Sequence, residues 1–206
     1  MKNLLENFKR TNFKFLNLDD EDELSLVATK SDGISLIPAP QSDFFCDPAG
    51  DIVKNNAIFM YVDVEGDFIA RAHVDHEFIN TYDAAALMIR TDDQNWAKLC
   101  FEKTDFGTRT IVSVVTKDGL SDDANGANYY WDGVWLQIAR KGNVFSTHYS
   151  PDCLNWHMTR YFTINTSASI QVGIVAQTPN GNGDASMNFY KFELEKYTVK
   201  DLRKGL

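Results

Sequence analysis

From about Ala57 onward, the sequence alternates apolar and polar residues in short segments that are separated by turn-forming residues. Alternation with a period of two is typical of β-strands, because successive side chains of a strand point to opposite faces. About ten segments of this kind follow one another, and shorter ones such as LSLVAT and ISLIP precede them. Apart from a short turn near residues 4–8, no segment shows the period of an amphipathic helix. Many strands without helices predict an all-β protein, built as a two-sheet sandwich or jelly roll.

Three short connections contain the residues that tight turns prefer. Glu65-Gly66 separates AIFMYVDV from DFIARAHV, residues 91–95 separate AAALMIR from WAKLCFEK, and Lys141-Gly142-Asn143 separates VWLQIAR from VFSTHYS. Each connection predicts a β-hairpin. No internal repeat and no Pro/Gly-rich linker interrupts the chain, so we expect a single domain over residues 1–206.

The chain is acidic, with a formal net charge of −9 at pH 7 and a sequence pI near 4.8. Surfaces that bind nucleic acid or anionic membranes are basic, so this balance argues against both as partners. No apolar run approaches the roughly 20 residues of a membrane span, and the first residues, MKNLLENFKRTNFKFLN, lack the apolar core of a signal peptide. Cys46, Cys100 and Cys153 are odd in number and far apart, which is typical of reduced thiols. We therefore predict a cytoplasmic protein.

Two polar stretches are best explained as loops. Residues 150–156, SPDCLNW, resemble the sialidase box Ser-x-Asp-x-Gly-x-Thr-Trp, but they are one position short and the box occurs only once. Pro151-Asp152 is a turn opener in which the Asp side chain bonds forward to the backbone, and Trp156 is expected to fold back onto the sheet. The acidic run Asp19–Glu23 is expected to form a solvated loop before a strand that begins at Leu24, because adjacent like charges repel.

Four longer segments follow one another in a recognisable order: AALMIRTDDQNWAKLCFEK, SVVTKDGLSDDANG, VWLQIARKGNVFSTHYSPDCLNW and VGIVAQTPNGNGDASMNFYKFEL. Together they resemble the regulation of enolase protein 1-like family, which has a concanavalin A-like lectin/glucanase fold. The resemblance implies a two-sheet jelly roll with residues 43–197 as its core and residues 1–42 as short strands and loops packing on the sandwich. It implies no established activity. One departure is Cys153, where the family has Gly after the turn Asp, and this departure bears on the turn geometry.

The alternation in residues 96–103, WAKLCFEK, separates a core face from a mixed polar and aromatic face. The mixed face consists of Trp96, Lys98, Cys100 and Glu102, whereas Ala97, Leu99 and Phe101 point inward. Arg90 lies on the neighbouring strand and faces the same way as Lys98 and Glu102. We interpret these three side chains as a charged groove on the concave sheet face, able to bind sugar hydroxyls or an anion. The alternative is a cross-strand ion pair on a solvent-exposed face.

The sequence argues against hydrolase chemistry. Glucanases of this fold carry Glu-x-Asp-x-Glu or a one-residue-longer variant on one strand, and no such string occurs here. The nearest acids, Asp63, Glu65 and Asp67, lie at a predicted hairpin tip. Glu102 has no acid two residues away on its face, and Lys98 is expected to hold it ionised. Gly-x-Ser-x-Gly is also absent, so we predict no catalytic residue.

No metal or other cofactor is predicted either. The histidines are dispersed and are interpreted as surface or edge residues: His73, His76, His148 and His157. In the predicted loop SDDANGANYYW, Asp122, Asp123 and Asn125 faintly resemble a calcium loop. The twelve-residue pattern that ends in a bidentate Glu is missing, and turn chemistry explains these residues without a metal.

The same predicted loop supplies aromatic side chains that could stack on sugars. Tyr130 and Trp131 are expected to form one wall of a pocket, and the alternative is that the nearby Trp135 opens a strand and packs as core. We therefore predict a non-catalytic binding module for a carbohydrate or sugar-derived metabolite. Its ligand-binding residues would be Arg90, Lys98, Glu102, Tyr130 and Trp131. Two alternatives stay open: a cytosolic protein-interaction or regulatory domain linked to central metabolism, and a glycoside hydrolase with an unrecognised acid pair.

Overall fold

The computed structural model describes residues 1–18, 27–30 and 33–206. Seven strands form one antiparallel sheet, in the spatial order β12-β11-β10-β9-β16-β7-β2. Their bounds are β2 Lys14–Leu16, β7 Ile58–Glu65, β9 Ala84–Arg90, β10 Trp96–Lys103, β11 Arg109–Lys117, β12 Leu120–Asn128 and β16 Ser169–Gln177. The acidic run at residues 19–23 and the start of the predicted strand LSLVAT lie outside the described residues.

Eight strands form the second sheet, in the order β15-β14-β13-β8-β17-β4-β3, with β1 also paired to β17. Their bounds are β1 Lys2–Asn3, β3 Val27–Lys30, β4 Gly33–Leu36, β8 Phe68–His76, β13 Val134–Lys141, β14 Val144–Ser150, β15 His157–Thr163 and β17 Met187–Glu195. A two-stranded sheet joins β5 Phe44–Cys46 to β6 Val53–Asn55. A 3-10 helix at Leu5–Arg10 follows β1, and within the described ranges no helix has the length and apolarity of a membrane span. The predicted all-β, two-sheet jelly-roll sandwich is confirmed.

The main core lies between the two large sheets, where alternate residues of each strand face the opposite sheet. In β10 the inward residues are Ala97, Leu99 and Phe101, as the alternation predicts. A second apolar cluster covers the outer face of the seven-stranded sheet, where Phe44 of β5 packs edge-on against Trp96 at 6.1 Å between ring centroids. This face is therefore covered by the segment around β5 and β6, and it is not the open face that the sequence suggested.

Two of the three predicted hairpins are confirmed. β9 pairs with β10, and β13 pairs with β14 around Gly142, whose φ of 59° lies in the left-handed region that glycine adopts without strain. The prediction of a hairpin at Glu65-Gly66 is wrong, because β7 belongs to the seven-stranded sheet and β8 to the eight-stranded sheet. Gly66, at φ 74°, reverses the chain while it crosses from one sheet to the other. Alternation reports which residues share a face but not which strand lies alongside.

The prediction that SDDANG forms a loop is also wrong, because these residues lie within the edge strand β12. This strand pairs with β11 from Lys117↔Leu120 to Thr110↔Asn128. Asp, Asn and Gly are poor strand formers. The ladder with β11 overrides that local preference, and the register shift between Thr110 and Val112 accommodates the irregular sequence.

The turn at residues 150–156 has the predicted chemistry. The Asp152 carboxylate accepts hydrogen bonds from the backbone N–H groups of Leu154 at 2.9 Å and Asn155 at 2.8 Å. Cys153 has a φ of 62°, the left-handed conformation that the family's glycine would adopt more easily. Trp156 lies over the Arg71 guanidinium, 4.7 Å from its ring centroid, and so packs back on the sheet as predicted.

Candidate functional site

A cavity of about 220 Å³ opens on the outer face of the seven-stranded sheet. Strands β10, β11, β12 and β16 form its floor, and the segment around β5 and the connection between β8 and β9 form its walls. The residues that line it are Asp43, Phe45, Tyr82, Lys98, Glu102, Val114, Asp123 and Gln177. Polar side chains on neighbouring strands thus converge with aromatic side chains from two loops, which is the usual composition of a small-molecule site.

Lys98 is the buried cation of the cavity, with only 3% of its surface exposed. Its ammonium group donates hydrogen bonds to Asp43 Oδ1 at 3.0 Å and Gln177 Oε1 at 2.7 Å. Burial favours the neutral amine, but Asp43 and the other acidic groups nearby outweigh this effect and raise the pKa of Lys98 above its ordinary value. Lys98 therefore stays protonated, and an ammonium with two described partners keeps one N–H for a third acceptor.

Glu102 is the unusual group of the cavity. It is 7% exposed, and no described residue forms a hydrogen bond with its carboxyl group. Burial raises its pKa to about 8, Lys98 opposes this rise, and Asp123 and Asp43 add to it. The expectation that Lys98 holds Glu102 ionised is therefore wrong, because desolvation and the two acids outweigh one lysine that already has a carboxylate partner. At neutral pH Glu102 is a carboxylic acid that can both donate and accept a hydrogen bond.

Asp123 completes the acidic lining from the edge strand β12, directly opposite Val114 of β11. It is exposed to solvent on one side, and partial burial on the other raises its pKa above the ordinary value. Its neighbour Asp122 points the other way and forms an ion pair with Arg160 at 3.1 Å. Adjacent acids of a strand serve opposite faces, so the two carboxylates do not converge. Within the described ranges, no three His, Cys, Asp or Glu side chains are placed to hold a metal ion.

The structure brings Lys98 and Glu102 together, but it places the other predicted site residues elsewhere. Arg90 lies farther along the same face, beyond the cavity lining, where it donates to Gln171 Oε1 at 2.8 Å and pairs with Asp93. Tyr130 and Trp131 follow β12, are 68% and 67% exposed, and do not line the cavity. The Trp131 ring instead contacts Tyr129, with 5.2 Å between their centroids. The nearby Trp135 stacks on His73 on the outer face of the eight-stranded sheet, 5.0 Å between centroids, and is not part of the core.

Four residues of the lining were not predicted from the sequence: the wall residues Asp43, Phe45 and Tyr82 and the floor residue Gln177. Asp43 is 55 positions from Lys98, and Gln177 is 79 positions from it. No local pattern reports contacts over such separations. The only available signal was the segment SDFFC, whose two aromatic residues adjoin a charged residue ahead of a turn.

The interpretation of all four histidines as surface or edge residues is wrong for two of them. His76 is 5% exposed and lies between the Phe101 carbonyl, 2.9 Å from Nε2, and the Phe78 N–H, which donates to Nδ1 at 3.1 Å. Burial lowers the pKa of His76 to about 3. His148 is fully buried, and its Nε2 lies 3.1 Å from the Arg203 carbonyl oxygen. Both rings have hydrogen-bonding backbone neighbours, which offset part of the cost of their burial.

The fold and the cavity define a concanavalin A-like β-sandwich protein with a small polar site on one sheet face. Solved structures with this architecture include the carbohydrate-binding module CBM66 from Bacillus subtilis, with a TM-score of 0.59 and 14% identity over 90% of this chain and 96% of that one. A GH43 protein from Bacillus licheniformis has a TM-score of 0.69 and 16% identity, covering 90% of this chain and 37% of that one. At these identities the likeness concerns the fold.

Residues 22–197 match the family described as protein of unknown function DUF1349, and the chain belongs to that family. It is 28% identical over 152 residues to regulation of enolase protein 1 from Saccharomyces cerevisiae, covering 73% of this chain and 75% of that protein. A functionally unknown Saccharomyces cerevisiae protein has a similar structure, with a TM-score of 0.79 and 26% identity over 89% of this chain and 95% of that chain. The predicted membership of a regulation of enolase protein 1-like family is confirmed.

Proposed function

We propose that this protein is a non-catalytic binding module that holds a carbohydrate or a sugar-derived metabolite in the cavity at Lys98 and Glu102. The observation behind this proposal is the buried Glu102 carboxyl group, which has no hydrogen-bond partner among the described residues. Glu102 lines the cavity, so a bound hydroxyl can take the place of water as the hydrogen-bond partner of this carboxyl group. The Lys98 ammonium supplies a further N–H donor nearby.

Sugar hydroxyls suit this pair because each hydroxyl donates one hydrogen bond and accepts others. A protonated Glu102 accepts at one oxygen and donates at the other, while Lys98 donates only. Phe45 and Tyr82 line the same cavity and supply aromatic surface for the C–H face of a sugar ring. In this proposal they take the stacking role that the sequence had suggested for Tyr130 and Trp131.

A second candidate is hydrolysis of a glycoside, and the presence of the Glu102 and Asp123 carboxyl groups in the lining of one cavity favours it. Glycosidases use one carboxylic acid and one carboxylate on opposite sides of the scissile bond. We place binding first because Asp43, which lies nearest to Lys98, is already engaged in an ion pair. Among the described residues of the lining, Asp123 is then the one acid left to act together with Glu102, and its side chain is exposed to solvent.

A third candidate is a protein-interaction role in the cytosol, as the name of the yeast relative suggests for that protein. Exposed Phe106, Tyr130 and Trp131 side chains favour it, since large exposed aromatics are common in protein interfaces. The three free cysteines support a reducing compartment. The acidic charge argues against nucleic acid or membrane as the partner in any of these roles.

The test is a saturation-transfer NMR screen of monosaccharides, disaccharides and sugar-derived metabolites, followed by calorimetry on each hit. We expect Lys98→Met and Glu102→Leu to weaken binding at least tenfold, about 1.4 kcal/mol, because each removes the hydrogen-bonding group. The matched controls are Lys14→Met and Glu65→Leu, which change exposed residues outside the cavity. Circular dichroism establishes that each variant is folded. A screen without saturable binding rejects the proposal, and turnover of aryl-glycosides that disappears in Glu102→Gln replaces it with the second candidate.

A further inference from the structure

We propose, resting on the function above, that the cavity prefers a sugar unit bearing a protonated amine to the neutral parent sugar, and that it rejects sugar acids and sugar phosphates. The lining supplies the chemistry for this preference. It contains three carboxyl groups and, among the described residues that line it, one cation. An amino sugar presents hydroxyls and an ammonium group within one small ring, so both polar features of the lining are used.

Lys98, the one cation among the described residues of the lining, already has hydrogen-bond partners. Lys98 is bonded to Asp43 and Gln177 at 3.0 and 2.7 Å, so its charge is balanced before any ligand enters. An anionic ligand would have to compete with Asp43 for it. Arg90, on the same sheet face, is paired with Asp93 and lies outside the lining. Recognition of a carboxylate or phosphate favours a guanidinium fork or several N–H groups, and the cavity offers neither.

Two acidic groups of the lining, Asp123 and Glu102, could each accept a hydrogen bond from a bound cation. Among the described residues no lysine or arginine forms an ion pair with Asp123: Lys98 and Arg160 act on it only from farther away, and Arg160 is paired with the neighbouring Asp122 on the other side of β12. The Glu102 carboxyl lies buried in the same cavity without a hydrogen-bond partner among the described residues. An ammonium group has three N–H donors and no acceptor, so it satisfies two carboxyl groups at once. A charged donor forms a hydrogen bond about twice as strong as that of a neutral hydroxyl.

An incoming ammonium also changes the protonation of Glu102. Burial, together with the neighbouring acids, raises the pKa of Glu102 to about 8 and so keeps it protonated near neutral pH, and a positive charge beside it favours the carboxylate. When the amine is already protonated in solution, the Glu102 O–H bond breaks on binding and its proton passes to the buffer. The ammonium and the carboxylate then form an ion pair in the cavity. Neutral sugars release no proton, so the two ligand classes differ in a second measurable quantity besides affinity.

The experiment uses matched ligand series in the gluco, galacto and manno configurations. Each series contains the neutral sugar, the 2-amino sugar, its N-acetyl derivative, the uronic acid and the 6-phosphate, titrated by calorimetry near pH 6 in two buffers of different ionisation enthalpy. We expect the amino sugar to bind about tenfold more tightly than its neutral parent and N-acetyl derivative in every series that binds. Buffer-dependent heats should report proton release for the amine alone.

Two variants separate the contributions. Asp123→Asn should remove the tenfold preference for the amine over its neutral parent, whereas Asp122→Asn, its neighbour on the other face of β12, should keep that preference. Glu102→Gln should abolish the proton release. Neutral sugars or anions that bind as tightly as the amine would overturn this inference and leave the proposed function standing. The absence of binding in all series would overturn both.

Discussion

Replacing Glu102 by glutamine keeps the shape of the side chain and removes its ability to ionise, which makes the cost of its burial measurable. The groups that face it are Lys98, Asp123, Asp43 and, farther away, Asp105. In the folded protein its pKa is about 8, compared with an ordinary value of 4.5. Between these two values the native state holds a proton that the unfolded chain has lost. Stability therefore falls as pH rises through this window and levels off above it.

The size of the effect follows from the same two values. Each pH unit corresponds to about 1.4 kcal/mol, so the wild type should lose roughly 3–4 kcal/mol of stability from this group between about pH 5 and pH 8. Glu102→Gln lacks this loss. Its free energy of unfolding should be close to that of the wild type near pH 5 and higher by roughly 3–4 kcal/mol near pH 8.

Urea unfolding followed by fluorescence measures both free energies across the pH range. Glu65→Gln is the matched control, because it removes an exposed carboxyl at the end of β7. Its stability curve should run parallel to that of the wild type. If Glu102→Gln also ran parallel to the wild type from pH 5 to pH 8, Glu102 would be ionised in the folded protein. The cavity would then contain no buried, protonated carboxyl group.

Three further predictions concern the framework around the site. Cys153 has a φ of 62°, so Cys153→Gly should be at least about 1 kcal/mol more stable than Cys153→Val in urea unfolding, and the reverse order would contradict the left-handed turn. A Cβ at Gly173 would lie 2.0 Å from the Met60 carbonyl oxygen, so Gly173→Ala should cost roughly 3 kcal/mol or more, and wild-type stability would disprove this close strand approach. Tyr130→Ala with Trp131→Ala should change stability by less than about 0.5 kcal/mol and leave sugar affinity unchanged, since both side chains are exposed outside the cavity lining. A loss of affinity in that double variant would show that they contact the ligand.

The alternation of β10 was sufficient to predict which of its residues face the core, because side-chain direction in a strand is a local property. It therefore placed Lys98 and Glu102 on one face correctly. It could not show that this face is covered, since the cover comes from Phe44 and Phe45, more than fifty positions earlier. The ionisation of Glu102 was mispredicted for the same reason. Desolvation depends on what packs above a residue, and a sequence window reports only its neighbours along the chain.

Strand pairing was the other feature that the local sequence pattern could not predict. The SDDANG segment has the composition of a loop, yet β11 supplies a ladder that makes it an edge strand. Glu65-Gly66 has the composition of a hairpin turn, yet the strands on either side of it join different sheets. In both cases the partner strand, and not the segment itself, decides the structure. The turn at Asp152, by contrast, depends on hydrogen bonds within four residues and was predictable.

Two strands that come late in the chain lie in the interior of the two large sheets, and this order affects how the protein folds during synthesis. β16 lies between β9 and β7, and β17 lies between β8 and β4, so the last two strands are central to their sheets. Until residues 169–195 have left the ribosome, β7 and β9 have no common neighbour, and neither do β8 and β4. Such non-local pairing is slow to form and leaves strand edges exposed meanwhile. We expect the nascent chain to depend on chaperones until residues 169–195 are synthesised, and then to close both sheets together.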